Sequence, residues 1–236
     1  MIRLGLAVGL MLLPAIAFGQ EMDGLDGLAN GVGRHTIILL AVMTILSLAP
    51  GIAIMVTCFP FIVTVLSILR QSMGLQQSPP NMLIVSLAMF LTWFVMSPVL
   101  NEAWETAGAP LRDGTITVEQ AFERGIEPFR GFMENRTSPE TLASLAEVAP
   151  DPDSAEGRLS VLIPAFMLSE VQRAFEIGFL ISLPFLIIDL VVSAVLMSMG
   201  MMMVPPAVVA LPFKLAFFVV IDGWGLIAAA LVRSYQ

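Results

Sequence analysis

The sequence has very little of the chemistry from which catalytic, metal and nucleic-acid sites are usually built. Its 236 residues include one cysteine (Cys58), one histidine (His35) and one lysine (Lys214). A single cysteine excludes an intrachain disulfide and a cysteine-rich metal site, and a single histidine is too few for a histidine metal cluster or a Ser-His-Asp triad. The isoelectric point near 4.6 argues against nucleic-acid binding. With no Gly-x-x-x-x-Gly-Lys-[Ser/Thr] phosphate loop present, we predict no catalytic residue, no cofactor and no enzyme activity.

Charge is also scarce and unevenly placed. Only 13% of the residues are charged, whereas 57% are hydrophobic; about a quarter of a soluble domain is charged, so an ordinary soluble enzyme is excluded. Disordered chains have low hydrophobicity, so the high hydrophobic content of this chain excludes disorder as well. Residues 101–160 hold 12 of the 19 acidic residues and 5 of the 11 basic ones. This distribution is typical of membrane-embedded segments that flank one polar insert.

The first 19 residues have the pattern of a secretory signal peptide. Arg3 precedes a short apolar run, and small residues follow at positions that allow cleavage after Ala17 or after Gly19. The alternative is a retained anchor. In either case we expect the segment from Gln20 onward to begin outside the cytoplasm.

Four apolar stretches follow, at 36–69, 82–100, 161–200 and 204–232. A helix of the length of the first stretch would extend about 51 Å, beyond a hydrocarbon core of about 30 Å. The first and third stretches are therefore predicted not to be simple spans, and their prolines allow either kinked helices or helical hairpins. We predict an all-α fold of membrane-associated hairpins and kinked helices that assemble into a ring or helical oligomer. The prediction divides the chain into a signal peptide (1–19), an N-terminal hydrophobic region (20–100), an acidic periplasmic insert (101–160) and a C-terminal hydrophobic region (161–236).

The insert itself is predicted to fold. Apolar residues recur near helical spacing over 118–133, which indicates an amphipathic helix that is interrupted or bent at Pro128. A second helix is predicted to begin with Ser138 as N-cap and Pro139 in the first turn. The insert could be a helical hairpin that packs on its neighbours, which we favour, or a dedicated binding surface.

Ionisable residues interrupt the last two apolar stretches, where they are costly unless they are paired or hydrated. Helical spacing of three places the first three of them on one side of a helix. They could form a proton or ion relay, or salt bridges that fix an assembly, and we favour the salt bridges. The residues are Glu170, Arg173, Glu176, Asp189, Lys214 and Asp222.

A methionine cluster lies between the last two apolar stretches, at Met199, Met201, Met202 and Met203. Gly200 and the pair Pro205-Pro206 mark this segment as a turn. Methionine is flexible and polarizable, so the cluster could simply fill a core. If several copies surrounded an axis, the turns would instead form a hydrophobic constriction.

Three long motifs resemble the FliP family of flagellar type III export-gate proteins, which has relatives in virulence secretion. They are LSILRQSMGLQQSPPN (66–81), GFLISLPFLIIDLVVSAVLMSMGMMMVPP (178–206) and LPFKLAFFVVIDGW (211–224). The resemblance covers the signal peptide and residues 36–100 and 160–232, whereas the insert resembles the family only in position and acidity. One departure is Pro60-Phe61, where many family members have Thr-Arg, so any ion pair of that arginine is absent.

The resemblance implies a pentamer in the bacterial inner membrane, within the flagellar basal body and extending to the periplasmic side. It implies FliQ-type and FliR-type gate subunits, FlhB-type and FlhA-type export proteins, the basal-body ring and unfolded flagellar substrate proteins as partners. It also implies that the four methionines form a gasket around the closed pore. Four of the charged residues match inter-subunit charge positions of the family, namely Glu170, Arg173, Glu176 and Lys214. The predicted function is therefore the core pore subunit of the flagellar export gate. The alternatives are an ion-coupled secondary transporter that uses Glu170, Asp189 and Asp222, and a membrane-anchored assembly factor.

Overall fold

The structure is a computed structural model that describes residues 39–40, 43–44, 47–48, 50–75, 78–150, 158–201 and 203–235. The chain divides into two compact units, Met1–Pro50 and Gly51–Gln236. Within the described residues the regular structure is helical and contains no strand, which confirms the all-α class. Residues 51–55 of the second unit are helical. The helices that follow in this unit are α1 (Phe59–Ser72), α2 (Asn81–Ala103), a π-helical turn (Trp104–Gly108), α3 (Ala109–Arg112), α4 (Val118–Arg136), α5 (Pro139–Glu147), α6 (Leu159–Ser198), α7 (Pro206–Val220) and α8 (Gly223–Arg233).

The short helix α1 lies at the centre of the hydrophobic core and packs mainly against α6 and α2. Its buried side chains are at most 1% exposed, and they include Phe61, Ile62, Val65 and Leu69. Pro60 occupies the first turn, where a missing N–H costs nothing. Because apolar side chains cover most of its circumference, α1 is enclosed by protein.

The acidic insert contains two capped helices, as predicted. Thr117 and Gln120 form a reciprocal capping box at the start of α4, and the Ser138 hydroxyl accepts a hydrogen bond from the Thr141 N–H at the start of α5. The predicted N-cap at Ser138 is confirmed. The expected interruption of α4 at Pro128 is absent, because the helix continues to Arg136. Both helices pack against α6, so the insert belongs to the same compact unit as the apolar helices.

The third apolar stretch is one continuous helix of 40 residues, α6. The hairpin alternative is therefore wrong for 161–200, although both Pro164 and Pro184 lie inside the helix. A proline removes one backbone hydrogen bond and costs about 3 kcal/mol or more in a helix interior. The helix nevertheless continues through both prolines, and the residues that follow them, Ala165 and Phe185, are at most 2% exposed.

The fourth apolar stretch is divided. Helices α7 and α8 meet at an angle of 62°, and Asp222 between them adopts the left-handed conformation with φ 49°.

At the other end of α7, the turn from α6 begins at Gly200, with φ 74°. The N–H of Met201 donates to Leu196 O and that of Gly200 to Met197 O, at 3.0 and 3.1 Å, which is a Schellman motif. The methionine segment therefore starts from a well-defined helix end.

Within the described residues, α6 and the helical segment Asn81–Arg112 are long and apolar enough to cross a membrane, and the bent pair α7–α8 would make a third span if it crosses as one. Much of the apolar surface of these helices faces outward. Phe90 on α2 is 75% exposed and Val220 on α7 is 84% exposed. At 1.5 Å per residue, α6 is about 60 Å long, twice the thickness of a hydrocarbon core of about 30 Å. Half of α6 therefore lies outside the hydrocarbon layer if the helix crosses it upright.

The close contact between α1 and α6 depends on Gly178. A Cβ atom at this position would lie 2.5 Å from Ile68 Cδ1 and 3.0 Å from Ile68 Cγ2. We expect Gly178→Ala to destabilise the protein by about 1–3 kcal/mol, as overpacking of a core does. Thermal unfolding in detergent would measure the effect.

Gly131 on α4 is the matched control, because no atom lies within 4 Å of a Cβ built there. Gly131→Ala should be neutral or stabilising, since alanine has the higher helix propensity by about 1 kcal/mol. Adding Ile68→Val to Gly178→Ala removes the Cδ1 atom and should recover part of the loss. Equal unfolding temperatures for the two alanine variants would contradict the close contact.

Candidate functional site

Glu170, on α6, is a carboxylate with no solvent exposure at the junction of three elements. Its Oε1 atom accepts from Arg136 Nε at 3.1 Å and from Arg173 Nη1 at 3.4 Å. Arg136 is the last residue of α4, so this ion pair joins the acidic insert to α6. Burying a lone carboxylate costs several kcal/mol, and the two guanidinium groups offset that cost.

Tyr235, which follows α8, completes the same cluster. Its hydroxyl donates to Glu170 Oε2, and its ring packs edge-on against Phe61 and stacks on Phe132. The Arg136 guanidinium carbon lies 4.1 Å from the Tyr235 ring centroid, within cation–π range. Arg136 Nη1 also donates to the backbone oxygen of Ser234 at 2.8 Å. We call Glu170, Arg136, Arg173 and Tyr235 the glutamate cluster.

Burial changes the acidity of two groups at this cluster, both outside the candidate spans. Burial and the negative charge of Glu170 raise the pKa of Tyr235 above its ordinary value, so its hydroxyl remains a donor. Burial raises the pKa of the Cys58 thiol to about 12. Cys58 is fully buried and stays a protonated thiol at neutral pH, so it is unreactive while the fold is closed.

A second ion pair, of which only the lysine is buried, joins α6 to α7 and α1. Lys214 Nζ lies 2.7 Å from Asp189 Oδ2 and donates to the backbone oxygen of Ser72 at 3.0 Å. Ser72 is the last residue of α1, where unpaired carbonyls attract a cation. The side chain of Lys214 is 7% exposed and that of Asp189 is 38% exposed. The ammonium group is therefore much more dependent on its partner than the carboxylate is.

The two remaining predicted charges lie outside the glutamate cluster and outside the pair formed by Asp189 and Lys214. Glu176 is exposed and accepts a hydrogen bond from Gln172 Nε2 at 3.1 Å, one turn earlier on α6. Asp222 is exposed at the bend between α7 and α8. No group of three or more Asp, Glu, Cys or His side chains is placed to hold a metal ion within the described ranges.

The methionine turn is exposed in the single chain. Met199 is 66% exposed, Met201 is 41% exposed and Met203 is 97% exposed. These side chains therefore do not fill the core of this subunit. Met202 lies outside the described residues, as do the predicted cleavage positions Ala17 and Gly19.

Sequence reasoning identified Glu170, Arg173, Asp189 and Lys214 as charges that need partners but missed three groups that supply partners. Arg136 and Tyr235 are 34 and 65 residues from Glu170 in sequence, and Ser72 is 142 residues from Lys214. No local pattern links residues so far apart. The one available signal is that the acidic insert ends its first helix with a basic residue, Arg136.

The unequal burial of the second pair predicts unequal effects of removing each partner. Asp189→Asn leaves a buried ammonium group without its counter-charge, and we expect it to destabilise the protein by about 3 kcal/mol. Lys214→Met leaves a carboxylate whose side chain is only partly buried, and it should cost less, about 1 kcal/mol. Thermal unfolding of the two variants in the same detergent would measure the difference.

The double variant Asp189→Asn/Lys214→Met provides the control for this prediction. It should be more stable than Asp189→Asn alone, because it removes the buried unpaired charge. Additive effects of the two substitutions would contradict a direct pair.

Known proteins match this sequence over most of its length. The profile of the FliP family matches residues 42–231. The chain is 47% identical to the flagellar biosynthetic protein FliP of Caulobacter vibrioides over 234 residues, which is 98% of this chain and 88% of the relative. It is 45% identical to the FliP of Agrobacterium fabrum over the full length of both chains. It is 46% identical to the FliP of Bacillus subtilis, over 85% of this chain and 92% of the relative. The chain belongs to the FliP family.

Proposed function

We propose that this protein is the core pore subunit of the flagellar type III export gate, through which unfolded flagellar proteins cross the inner membrane. It acts as a conduit and not as an enzyme, so other components supply the energy. The exposed methionine turn is the observation that carries the proposal. Family membership supports a role in flagellum assembly, and the geometry of the chain supports the pore.

The methionine turn has the properties of a gasket. Its described methionines, Met199, Met201 and Met203, leave the core and extend from a fixed helix end at Gly200. Several copies around an axis would place these flexible apolar side chains at one constriction. Such a ring excludes water and ions when closed, and it can deform around a passing chain.

The exposed apolar faces of α2, α6 and α7 supply the surface for assembly. The family resemblance implies a pentamer that joins FliQ-type and FliR-type subunits, with FlhB-type and FlhA-type proteins and the basal-body ring as further partners. Buried polar atoms without a partner among the described residues fit the same picture. Arg136 Nη2 and Asp189 Oδ1 are two such atoms, and groups of this kind are normally satisfied by water or a neighbouring chain.

The length of α6 supports a multi-pass subunit that extends beyond the membrane. Its N-terminal half carries Glu170, Arg173 and Glu176 and packs against the acidic insert. We propose that this half lies on the periplasmic side, together with the insert. The methionine turn then lies at the opposite end of α6.

An ion-coupled transporter is less well supported by the same geometry. A coupling carboxylate must be able to gain and lose a proton or a cation. Glu170 is held by two guanidinium groups and a hydroxyl, and Asp189 is held by an ammonium group. Both carboxylates are therefore committed to structural pairs, and we propose that further charge contacts, through Glu176 and Asp222, are made between subunits.

Purification tests the assembly. We expect the chain extracted in mild detergent to be recovered in a ring-like complex with two smaller membrane proteins, with several copies of this chain around one axis. Imaging of the purified complex would count them. A monomer that transports a small solute by itself would contradict the proposal.

Replacement of the methionines tests the gasket. We expect alanine at Met201, Met202 and Met203 together to make the closed gate permeable to ions or small solutes, because each substitution removes side-chain volume from the constriction. Ion flux into vesicles that contain the intact complex would measure the leak.

Met82→Ala is the matched control, since Met82 is 79% exposed but lies at the start of α2, outside the methionine turn. It should leave the vesicles sealed. Unchanged permeability of the triple variant with the complex intact, or an equal leak in the control, would contradict the gasket.

A further inference from the structure

Helix α8 is fixed firmly at its two ends and loosely in between. We infer that α8 is a hinged arm, with its pivot at Asp222-Gly223 and with Tyr235 as the latch that holds its far end in the glutamate cluster. Opening of the arm would expose the buried groups of that cluster. The inference concerns the folded chain alone and does not depend on whether the protein conducts other proteins.

The pivot is a sharp and sterically defined bend. Asp222 is the one residue other than glycine that has positive φ within the described ranges, and the left-handed conformation is unfavourable for such a residue. Gly223 is buried, and a Cβ there would collide with the ring of Phe218; a Cβ at Gly225 would lie 2.5 Å from Asp222 Oδ2. The chain therefore changes direction at one place, between the last turn of α7 and the first turn of α8.

The middle of the arm is poorly packed. An apolar groove of about 400 Å³ lies between α2 and α8, lined by Leu91, Phe94, Ala228, Ala229, Val232 and Arg233. A second cavity of about 130 Å³ follows it toward the end of α8 and reaches Tyr235. Along this open groove α8 lacks the close contacts that would otherwise hold it to α2.

The latch, in contrast, makes several specific contacts over two residues. Tyr235 contacts Phe61 of α1, Phe132 and Arg136 of α4, and Glu170 of α6. The Ser234 carbonyl accepts from Arg136 as well. These contacts join α8 to three helices that are distant in sequence, so the position of the arm depends mainly on them.

The labelling of Cys58, the only cysteine of the sequence, can be used to detect opening of this latch, so no cysteine has to be introduced. Cys58 immediately precedes α1, has no solvent exposure, and is close enough to feel the charges of Glu170 and Arg136. A buried thiol reacts with a maleimide only when the structure around it opens. The labelling rate of Cys58 at neutral pH therefore measures how often the cluster opens.

The experiment compares maleimide labelling of the full chain in mild detergent for the wild type, Tyr235→Leu and Tyr235→Phe. We expect Tyr235→Leu to increase the labelling rate of Cys58 by at least about tenfold, because the rate follows the population of the open form. Tyr235→Phe keeps the ring contacts but removes the hydroxyl that satisfies Glu170, so its rate should be intermediate. If the Tyr235→Leu protein does not accumulate, the test rests on Tyr235→Phe. A Cys58 labelling rate in Tyr235→Phe equal to that of the wild type would contradict the latch.

A second reporter separates movement of the arm from a local hole at Tyr235. Leu231 on α8 is 2% exposed, and Leu231→Cys in a Cys58→Ser background reports on the arm itself. An opening arm exposes both reporters, so Tyr235→Leu should increase the labelling of each. Increased labelling of Cys58 alone would overturn the hinged arm.

Leu196→Ala is the matched control for general loss of packing. Leu196 is 7% exposed and lies near the end of α6 at the methionine turn, outside the core cluster that contains Cys58 and Phe218. The substitution should destabilise the chain while leaving Cys58 labelling close to the wild-type rate. Labelling of Leu196→Ala as fast as that of Tyr235→Leu would show that Tyr235 has no special role and would overturn the inference.

Discussion

The carboxylate of Glu170 has no contact with solvent, and the arrangement of the surrounding helices must neutralise it. Two guanidinium groups and a phenol hydroxyl do so, and they come from three parts of the chain. Removing one partner from a buried pair costs about 3–5 kcal/mol, far more than the pair contributes relative to apolar residues. The cluster therefore favours the packing in which the acidic insert and the end of α8 meet on α6, because any other packing would leave the buried carboxylate without partners.

The second ion pair applies the same constraint at the other half of the subunit. Lys214 binds both Asp189 and the last carbonyl of α1, so α7 can pack in one register only. Between the two charged sites, α1 is surrounded by apolar side chains and approaches α6 closely at Gly178. Charge thus fixes the two ends of the core, and close packing fixes its middle.

Local features of this fold could be predicted from the sequence, and features that depend on distant residues could not. Ser138 and Pro139 define a helix start through their own side chains and backbone, so that boundary was confirmed. Pro164 and Pro184 suggested breaks in α6 because their local cost is real, but packing against neighbouring helices outweighs it. Glu170 could be recognised as a charge that needs a partner, whereas its partners Arg136 and Tyr235 could not, since they are brought to it only by the tertiary fold.

The separation of charged and apolar contacts has a consequence for assembly. The buried charges pair mainly with groups of the same chain, and these pairs tie its helices to one another. The outward faces of α2, α6 and α7 are largely apolar, although the exposed Gln172 and Glu176 lie on α6. In the proposed gate, such a chain would keep its own shape while its apolar faces pack against neighbouring proteins. Flexibility is then left to the methionine turn, which begins at a rigid helix end and carries side chains that adapt to whatever lies against them.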